Sequence, residues 1–128
     1  MSINIQETIS QFENLLDDRV VERLVELSSF EDGWDNDGAK KMSLGSLTSF
    51  LTFAKNYPLD ASDLGIFLGF EGEILINWHI KNGSLIDLDF DKDEITVYTD
   101  NYEGSFPYGN DDIYKTIHDI SLKTQKSI

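Results

Sequence analysis

The sequence predicts an α+β protein, in which N-terminal helices and a C-terminal helix pack on one face of a four-stranded antiparallel β-meander. Apolar residues recur at helical spacing before Pro58 and again after Asn110. Between these regions, four segments alternate apolar and polar residues with the period of a strand. The chain has 128 residues, of which 40% are hydrophobic. We therefore expect a single domain over residues 1–128, built around one core.

Three helices are predicted before Pro58. The first apolar stripe is Ile5, Ile9, Phe12 and Leu16, with Ser2 or Asn4 as the cap, and the second, after Asp17 and Asp18, is Val20, Val21, Leu24, Val25 and Leu27. These stripes fit two short helices or one bent helix. Ser43 is the predicted cap of a third helix, which should end at Tyr57 because a proline follows.

The strands are predicted in the segments LGIFLGF, EILINWHI, SLIDLDF and EITVYTD. They are linked by Glu71-Gly72, Lys81-Asn82-Gly83 and Asp91-Lys92-Asp93, which are too short for crossovers and therefore require antiparallel neighbours. Asn82-Gly83 is also a strong hairpin signal. The following segment, NYEGSFPYG, is expected to be a loop or a short edge strand, broken by Pro107. Asn110 should cap the last helix, whose apolar stripe is Ile113, Ile117 and Ile120 and whose C-terminal end carries Lys123 and Lys126.

Alternation along the predicted strands assigns their side chains to two faces. The core face holds Ile74, Ile76, Trp78, Ile80, Ile86, Leu88, Phe90, Ile95 and Val97, and the opposite face holds Asn77, His79, Asp87, Asp89, Asp91, Thr96, Tyr98 and Asp100. Asp87, Asp89 and Asp91 should form a row of carboxylates about 6.5–7 Å apart, two strand rises per step. Repulsion along this row opposes folding, so other contacts must hold it.

The net charge of −14 is the strongest functional indication in the composition. The segment 56–114 carries 13 acidic and two basic residues, so the negative charge is concentrated where the sheet is predicted. Such a field repels nucleic acid and anionic membranes and attracts basic protein surfaces. The same charge also serves solubility without any partner.

Four interpretations of the carboxylate row follow from the residues. The row is either a solvated sheet face or a docking surface for a basic partner, in which case the carboxylates mimic the phosphates of a nucleic acid. Alternatively, it is a Mg²⁺ or Ca²⁺ site, or part of a general-base pair of His79 with Asp87 or Asp89. The predicted partner-binding residues are Asn77, His79, Asp87, Asp89, Asp91, Tyr98 and Asp100. No nucleophile with a positioned partner, oxyanion motif or phosphate loop is recognisable, so no catalytic residue is assigned.

The acidic segment FEDGWDNDGAKK, residues 30–41, raises the question of a calcium loop. An EF-hand register with Gly38 at its sixth position puts Gly33 first and Leu44 twelfth, and neither is a ligand. We interpret the segment as a structural loop. Gly33 and Gly38 permit sharp turns, Asp35 or Asp37 caps backbone N–H groups, and Trp34 inserts into the core. No metal or cofactor is predicted.

Residues 24–98 resemble a group of small acidic bacterial and phage-associated proteins. The resemblance rests on Gly33, Trp34, Asp35, Gly38 and Ala39, which match a Gly-Trp-Asp-x-x-Gly-Ala loop before a helix, and on Trp78 in a strand. Asn36 stands where the pattern often has glycine. The resemblance implies a similar fold and a small accessory role, and it carries over no catalytic residue.

Together these observations favour a non-catalytic inhibitor that docks its acidic sheet face on a basic protein surface, such as that of a nuclease or another nucleic-acid-binding complex. Immunity proteins, antitoxins and phage anti-defence or anti-CRISPR proteins share this profile. The alternatives are a divalent-metal-binding module or metal-dependent enzyme and a structural accessory protein. The chain has no cysteine, and no signal peptide or membrane span is recognisable, so a cytoplasmic location is expected without direct binding to nucleic acid or membrane.

Overall fold

The computed structural model describes residues 4–59, 61–80, 83–91 and 93–126, with side chains as far as Ile120 in the last helix. The elements are, in chain order, α1 (Ile5–Ser10), α2 (Asp18–Ser28), α3 (Leu44–Asn56), β1 (Gly65–Leu68), β2 (Ile74–His79), β3 (Leu85–Phe90), β4 (Glu94–Thr99), β5 (Tyr102–Pro107) and α4 (Asp112–Lys126). The α+β class is confirmed. The predicted turn residues Lys81, Asn82 and Lys92, the alternative cap Ser2, and the side chains of Lys123 and Lys126 lie outside what is described.

The helices begin at side chains that accept hydrogen bonds from their first turns. Asn4 Oδ1 accepts from the backbone N–H of Glu7, and Asp17 Oδ1 accepts from that of Arg19, at 2.8 and 2.9 Å. Ser43 Oγ does the same for Ser46 at the start of α3. These bonds satisfy N–H groups that have no partner within their own helix. The two stripes are divided between two helices, but α1 is shorter than its stripe, because Phe12 and Leu16 lie in the turns between α1 and α2. α3 ends at Asn56 because Tyr57, before Pro58, is extended.

The sheet is a meander of five antiparallel strands in the order β1-β2-β3-β4-β5, so the predicted count of four was wrong. The segment from Tyr102 to Pro107 pairs with β4 over its whole length, from Thr99↔Tyr102 to Glu94↔Pro107. Most of its side chains are exposed, and for this reason it lacks a clear apolar alternation. Its strand conformation follows from backbone pairing across a tight turn at Asp100 and Asn101 and from its position at the sheet edge, where proline is tolerated.

The core forms where helices meet one face of the sheet. Phe50 and Phe53 of α3 contact Phe90 of β3, with ring centroids 5.2 and 5.6 Å apart, and Phe12 contacts Phe50 at 4.9 Å. The expected core-face residues are buried, except for Ile80, which is partly buried just beyond the end of β2. Ile113 and Ile117 of α4 belong to the same buried cluster.

Ser46 joins α3 to the sheet inside this core. Its hydroxyl donates to the carbonyl of Phe90 at 2.5 Å and accepts from the N–H of Ile74 at 2.7 Å. Ile74 and Phe90 face each other across β2 and β3, so one buried hydroxyl satisfies a donor and an acceptor at the end of this ladder.

The two edges of the sheet differ in the partners of their backbone groups. Arg19 of α2 donates to the carbonyls of Ser62 and Leu64, and Arg23 donates to the carbonyl of Ile66. These bonds occupy one backbone acceptor in β1, that of Ile66, and two in the segment just before it. On the opposite edge, no described strand pairs with the outer side of β5.

Candidate partner-binding face

The outer face of the sheet is the face opposite the core, and its central strands are acidic. Its strand residues are Gly65 and Phe67 of β1, Leu75, Asn77 and His79 of β2, Leu85, Asp87 and Asp89 of β3, Glu94, Thr96 and Tyr98 of β4, and Glu103, Ser105 and Pro107 of β5. No lysine or arginine occurs among these strand positions. Glu73 and Asp91 extend the acidic surface just beyond the ends of β2 and β3.

Asp89 lies at the centre of this face, between Leu75 of β2 and Thr96 of β4. Its side chain is half-buried, and its Oδ1 is buried without a hydrogen-bond partner. Burial raises the pKa of the Asp89 carboxyl to about 6, and the negative charges of Glu73 and Asp91 add to the shift. This carboxylate is therefore held among like charges, and no lysine or arginine of the described residues forms a salt bridge with it.

Asp87 and Tyr98 face each other across β3 and β4, one step along the sheet from Asp89. Asp87 Oδ1 accepts a hydrogen bond from Asn77 Nδ2 at 3.2 Å. The Tyr98 side chain remains 38% exposed. Burial raises the pKa of the Tyr98 phenol, and the charges of Asp89 and Glu103 raise it further. An exposed aromatic side chain thus lies within the negative field of the face.

The structure places the other predicted face residues toward its margins. Asp91 is exposed just after β3, and Asp100 is exposed in the turn between β4 and β5. Asn77, Asp87, Asp89 and Tyr98 are therefore brought together at the centre, while Asp91 and Asp100 lie at two ends of strands.

His79 lies at the end of β2 and is exposed, but its partner is neither Asp87 nor Asp89. Its Nδ1 is 2.7 Å from Oδ2 of Asp63, and its backbone N–H donates to the same oxygen at 3.1 Å. The hydrogen bond from the His79 side chain, followed by that from its backbone, lowers the pKa of Asp63. The suggested general-base pair with the carboxylate row was therefore wrong, because a loop carboxylate 16 residues earlier binds this histidine.

Two exposed phenylalanines near β1 were missed by sequence reasoning. Phe67 is 43% exposed and lies on the outer face beside Leu75, and Phe70 is 51% exposed in the turn that follows β1. The segment LGIFLGF is apolar at nearly every position, so alternation could not show which residues point outward. The outer face consequently has an apolar margin along β1 beside its acidic centre.

The loop 30–41 is closed by its own hydrogen bonds. Asp35 Oδ1 accepts from the backbone N–H groups of Asp37 and Ala39 at 2.8 and 3.0 Å. The bond from Ala39 and then that from Asp37 lower the pKa of Asp35. Gly33 and Gly38 have positive φ, at 82° and 88°, which glycine adopts without strain. These contacts account for the acidic loop as a structural element.

Trp34 is half-buried at the margin of the core, so the expectation that it inserts into the core was too strong. Its ring lies 5.4 Å from that of Phe30, and its Nε1 donates to the carbonyl of Lys40 at 2.9 Å. An indole that keeps its polar edge in the loop cannot enter the core completely.

The loop is anchored to the β1–β2 turn through two backbone bonds. The N–H of Lys40 donates to Phe70, and that of Ser43 donates to Gly72, both at 2.8 Å. Gly72 has a φ of 83°, and a Cβ there would collide with the carbonyl of Lys41. Close approach of two backbones therefore requires glycine at this position.

Neither metal binding nor a membrane span is supported by the described residues. Among them, no group of three or more histidine, aspartate or glutamate side chains is arranged to hold a metal ion. No helix in the described ranges has both the length and the apolar character to cross a membrane.

Comparison with known proteins leaves the chain without a relative on which to base a function: no family model, curated protein or solved structure matches it.

Proposed function

We propose that this protein is a non-catalytic inhibitor that docks the acidic outer face of its sheet on the basic surface of a nucleic-acid-binding protein. The observation that supports this most directly is Asp89, a half-buried carboxylate with one unpartnered oxygen in a field of like charges. A carboxylate with no counter-charge in the part of the chain that the structure describes is complementary to a cation supplied from outside.

The electrostatic argument concerns the difference between the free and bound states. In the free protein, Glu73 and Asp91 repel the charge on Asp89. A lysine or arginine of a partner near this position replaces that repulsion with attraction, and it donates a hydrogen bond to the half-buried Asp89 carboxylate. The cost of desolvating Asp89 has already been met in folding, so binding gains the attraction with less further loss.

Aromatic side chains provide anchors beside these charges. Tyr98 lies next to the acidic centre, and Phe67 lies on its β1 side, both with more than a third of their surface exposed. Tyrosine is common among residues that dominate binding energy, and arginine of a partner stacks on aromatic rings. We expect Tyr98 and Asp89 to form the centre of the interface, with Asp91 and Asp100 at its rim.

The partner class follows from spacing and sign. Asp87 and Asp89 of β3 are two strand rises apart, about 6.5–7 Å, and Asp91 follows just after the strand. This spacing is comparable to that of phosphates along a single nucleic-acid strand. A nuclease or other nucleic-acid-binding protein carries a basic surface because it binds phosphate. Immunity proteins, antitoxins and anti-CRISPR proteins act on such targets, and this chain is proposed to act in the same manner.

The test compares two variants with the same change in net charge. One carries Asp87→Asn, Asp89→Asn and Asp91→Asn on the outer face. The other carries Glu13→Gln, Glu22→Gln and Glu31→Gln, which are exposed and lie outside the sheet. Each protein is used to capture partners from host and phage-infected lysates, and captured proteins are identified by mass spectrometry and assayed for nucleic-acid binding or cleavage.

We expect the wild type and the control variant with the three glutamines to retain a basic nucleic-acid-binding protein and to inhibit it. The variant with the three asparagines should lose both the binding and the inhibition. Heparin should release the partner, because it competes for the same basic surface. Equal retention by both variants, or capture without loss of the target's activity, would contradict the proposal.

A further inference from the structure

A cavity of about 150 Å³ lies on the helix side of the sheet, between α3, α4 and the ends of β4 and β5. It is separate from the outer face, because Ile95 of the core face is part of its wall. A cavity of this volume accepts a molecule the size of benzene.

Three aromatic rings form part of this wall: Phe53 of α3, Tyr108 of the β5–α4 segment and Tyr114 of α4. Phe53 and Tyr114 are stacked, with ring centroids 5.6 Å apart and planes inclined by 27°. The Tyr108 hydroxyl is buried; burial raises the pKa of this phenol, and a side-chain hydrogen bond with Ser49 opposes that effect. This part of the wall is therefore aromatic.

Polar side chains of α3 line the cavity and present acceptors to it. Thr48 Oγ1 donates to the carbonyl of Leu44, and Thr52 Oγ1 donates to that of Thr48. Asn56 Nδ2 donates to the carbonyl of Thr52. The Asn56 side chain also hydrogen-bonds to the Tyr114 phenol. With these donors used, the hydroxyl lone pairs and the Asn56 carbonyl oxygen remain for a ligand.

The charge at the cavity has one sign. Asp111 is exposed and stands at its rim, and no lysine or arginine lines the described walls. Burial raises the pKa of the Tyr114 phenol, and the Asp111 carboxylate adds to this effect, as expected if its charge acts on the cavity. Acceptors, π faces and a carboxylate are each complementary to a cation that carries several N–H donors.

We propose that this cavity binds a primary alkylammonium ion, either a free amine or the side chain of a lysine on another protein. The ammonium group lies against the aromatic wall and hydrogen-bonds to Thr52 and to the Asn56 carbonyl oxygen, with Asp111 as counter-charge. The alkyl chain contacts Ile95 and Phe53. This site does not depend on the proposed docking of the acidic face.

The test uses n-butylammonium as the ligand and 1-butanol as its neutral counterpart, titrated into the full chain and followed by NMR on the ring protons of Phe53, Tyr108 and Tyr114. We expect a saturable Kd of about a millimolar for n-butylammonium, as suits so few atoms, and no saturation with 1-butanol. Nα-acetyl-lysine-N-methylamide forms a second arm. Binding of the lysine derivative indicates that a protein side chain can supply the ammonium, and binding of butylammonium alone indicates a free amine.

The matched variants are Asp111→Asn and Asp112→Asn, which remove the same charge from adjacent exposed positions, although only Asp111 lines the cavity. Asp111→Asn should weaken binding about three- to tenfold, and Asp112→Asn by less than about twofold. Thermal melts establish that both variants fold. The proposal is overturned if 1-butanol binds as well as butylammonium, if neither titration saturates, or if both variants weaken binding equally.

Discussion

Asp89 shows at the scale of one residue what the sequence could and could not reveal. Alternation placed Asp87, Asp89 and Asp91 on one face, but their local sequence is nearly the same. Only the cross-strand neighbours distinguish them: Leu75 and Thr96 flank Asp89, whereas Asn77 donates to Asp87. Register across strands therefore determines which carboxylate is desolvated, and register is not written in the segment itself.

The raised pKa of Asp89 predicts how stability depends on pH. Its folded-state pKa of about 6 lies above the ordinary value of 3.8, so the folded state binds the proton more tightly between these values. The contribution of this group to the free energy of unfolding is therefore lost as pH rises from 4 to 6. Asp89→Asn should be more stable than the wild type at pH 7 by about 1 kcal/mol, after allowance for solvent screening, and this advantage should disappear at pH 4.

Urea denaturation of both proteins at several pH values measures this difference, with Asp100→Asn as a charge-matched control at an exposed turn. Parallel curves of unfolding free energy against pH for Asp89→Asn and the wild type would mean that Asp89 is not the group responsible.

The position of the His79 partner could not be predicted from the sequence either. That partner, Asp63, lies in a loop, where no periodicity predicts the position of a side chain.

At the scale of elements, prediction succeeded where side chains determine the structure. The apolar stripes and caps predicted α2 and α3, and alternation predicted β2, β3 and β4. Prediction was less successful where the backbone determines it. β5 has Tyr102, Gly104 and Phe106 on the same side as the core but few buried residues, and its pairing with β4 is a property of both strands together.

The contact between the 30–41 loop and the β1–β2 turn predicts unequal effects of two glycine substitutions. Gly72→Ala and Gly83→Ala both place a side chain at positive φ, which costs about 1–2 kcal/mol. Only at Gly72 does the new Cβ meet backbone, at the carbonyl of Lys41, whereas nothing lies within 4 Å of Gly83. We expect Gly72→Ala to lower the free energy of unfolding by about 2 kcal/mol more than Gly83→Ala, measured by chemical denaturation. Equal losses of unfolding free energy in the two variants would show that the 30–41 loop moves away from the new Cβ without destabilising the protein.

Trp34 provides a second test of the same loop. Because the indole is half-buried, Trp34→Ala should destabilise the protein by about 1–3 kcal/mol, below the range for a core tryptophan. Trp34→Phe should recover most of the packing with Phe30 while losing the hydrogen bond to Lys40. An unchanged melting temperature in Trp34→Ala would remove the structural account of this residue and indicate a role in binding.

At the scale of the whole molecule, the net charge of −14 opposes folding by self-repulsion. Raising NaCl from about 20 to 200 mM shortens the Debye length from roughly 20 to 7 Å, so distant acids cease to repel each other. We expect the free energy of unfolding to rise by about 1 kcal/mol over this range, as measured by urea denaturation. The unfolding free energy of the variant with Asp87→Asn, Asp89→Asn and Asp91→Asn should rise less over this salt range. An equal rise in both proteins would assign the effect to other charges.

The two edge strands of the sheet differ in how their backbone groups are occupied, and this difference limits how copies of this chain can associate edge to edge. Arg23 occupies the carbonyl of Ile66 in β1 and Arg19 occupies those of Ser62 and Leu64 just before it, whereas no described strand pairs with the outer side of β5. If two copies pair through β5, each copy then exposes only its β1 edge, where the two arginine side chains lie, to further strand addition. Edge-to-edge growth beyond two chains through β1 then requires the two arginine side chains to be displaced first.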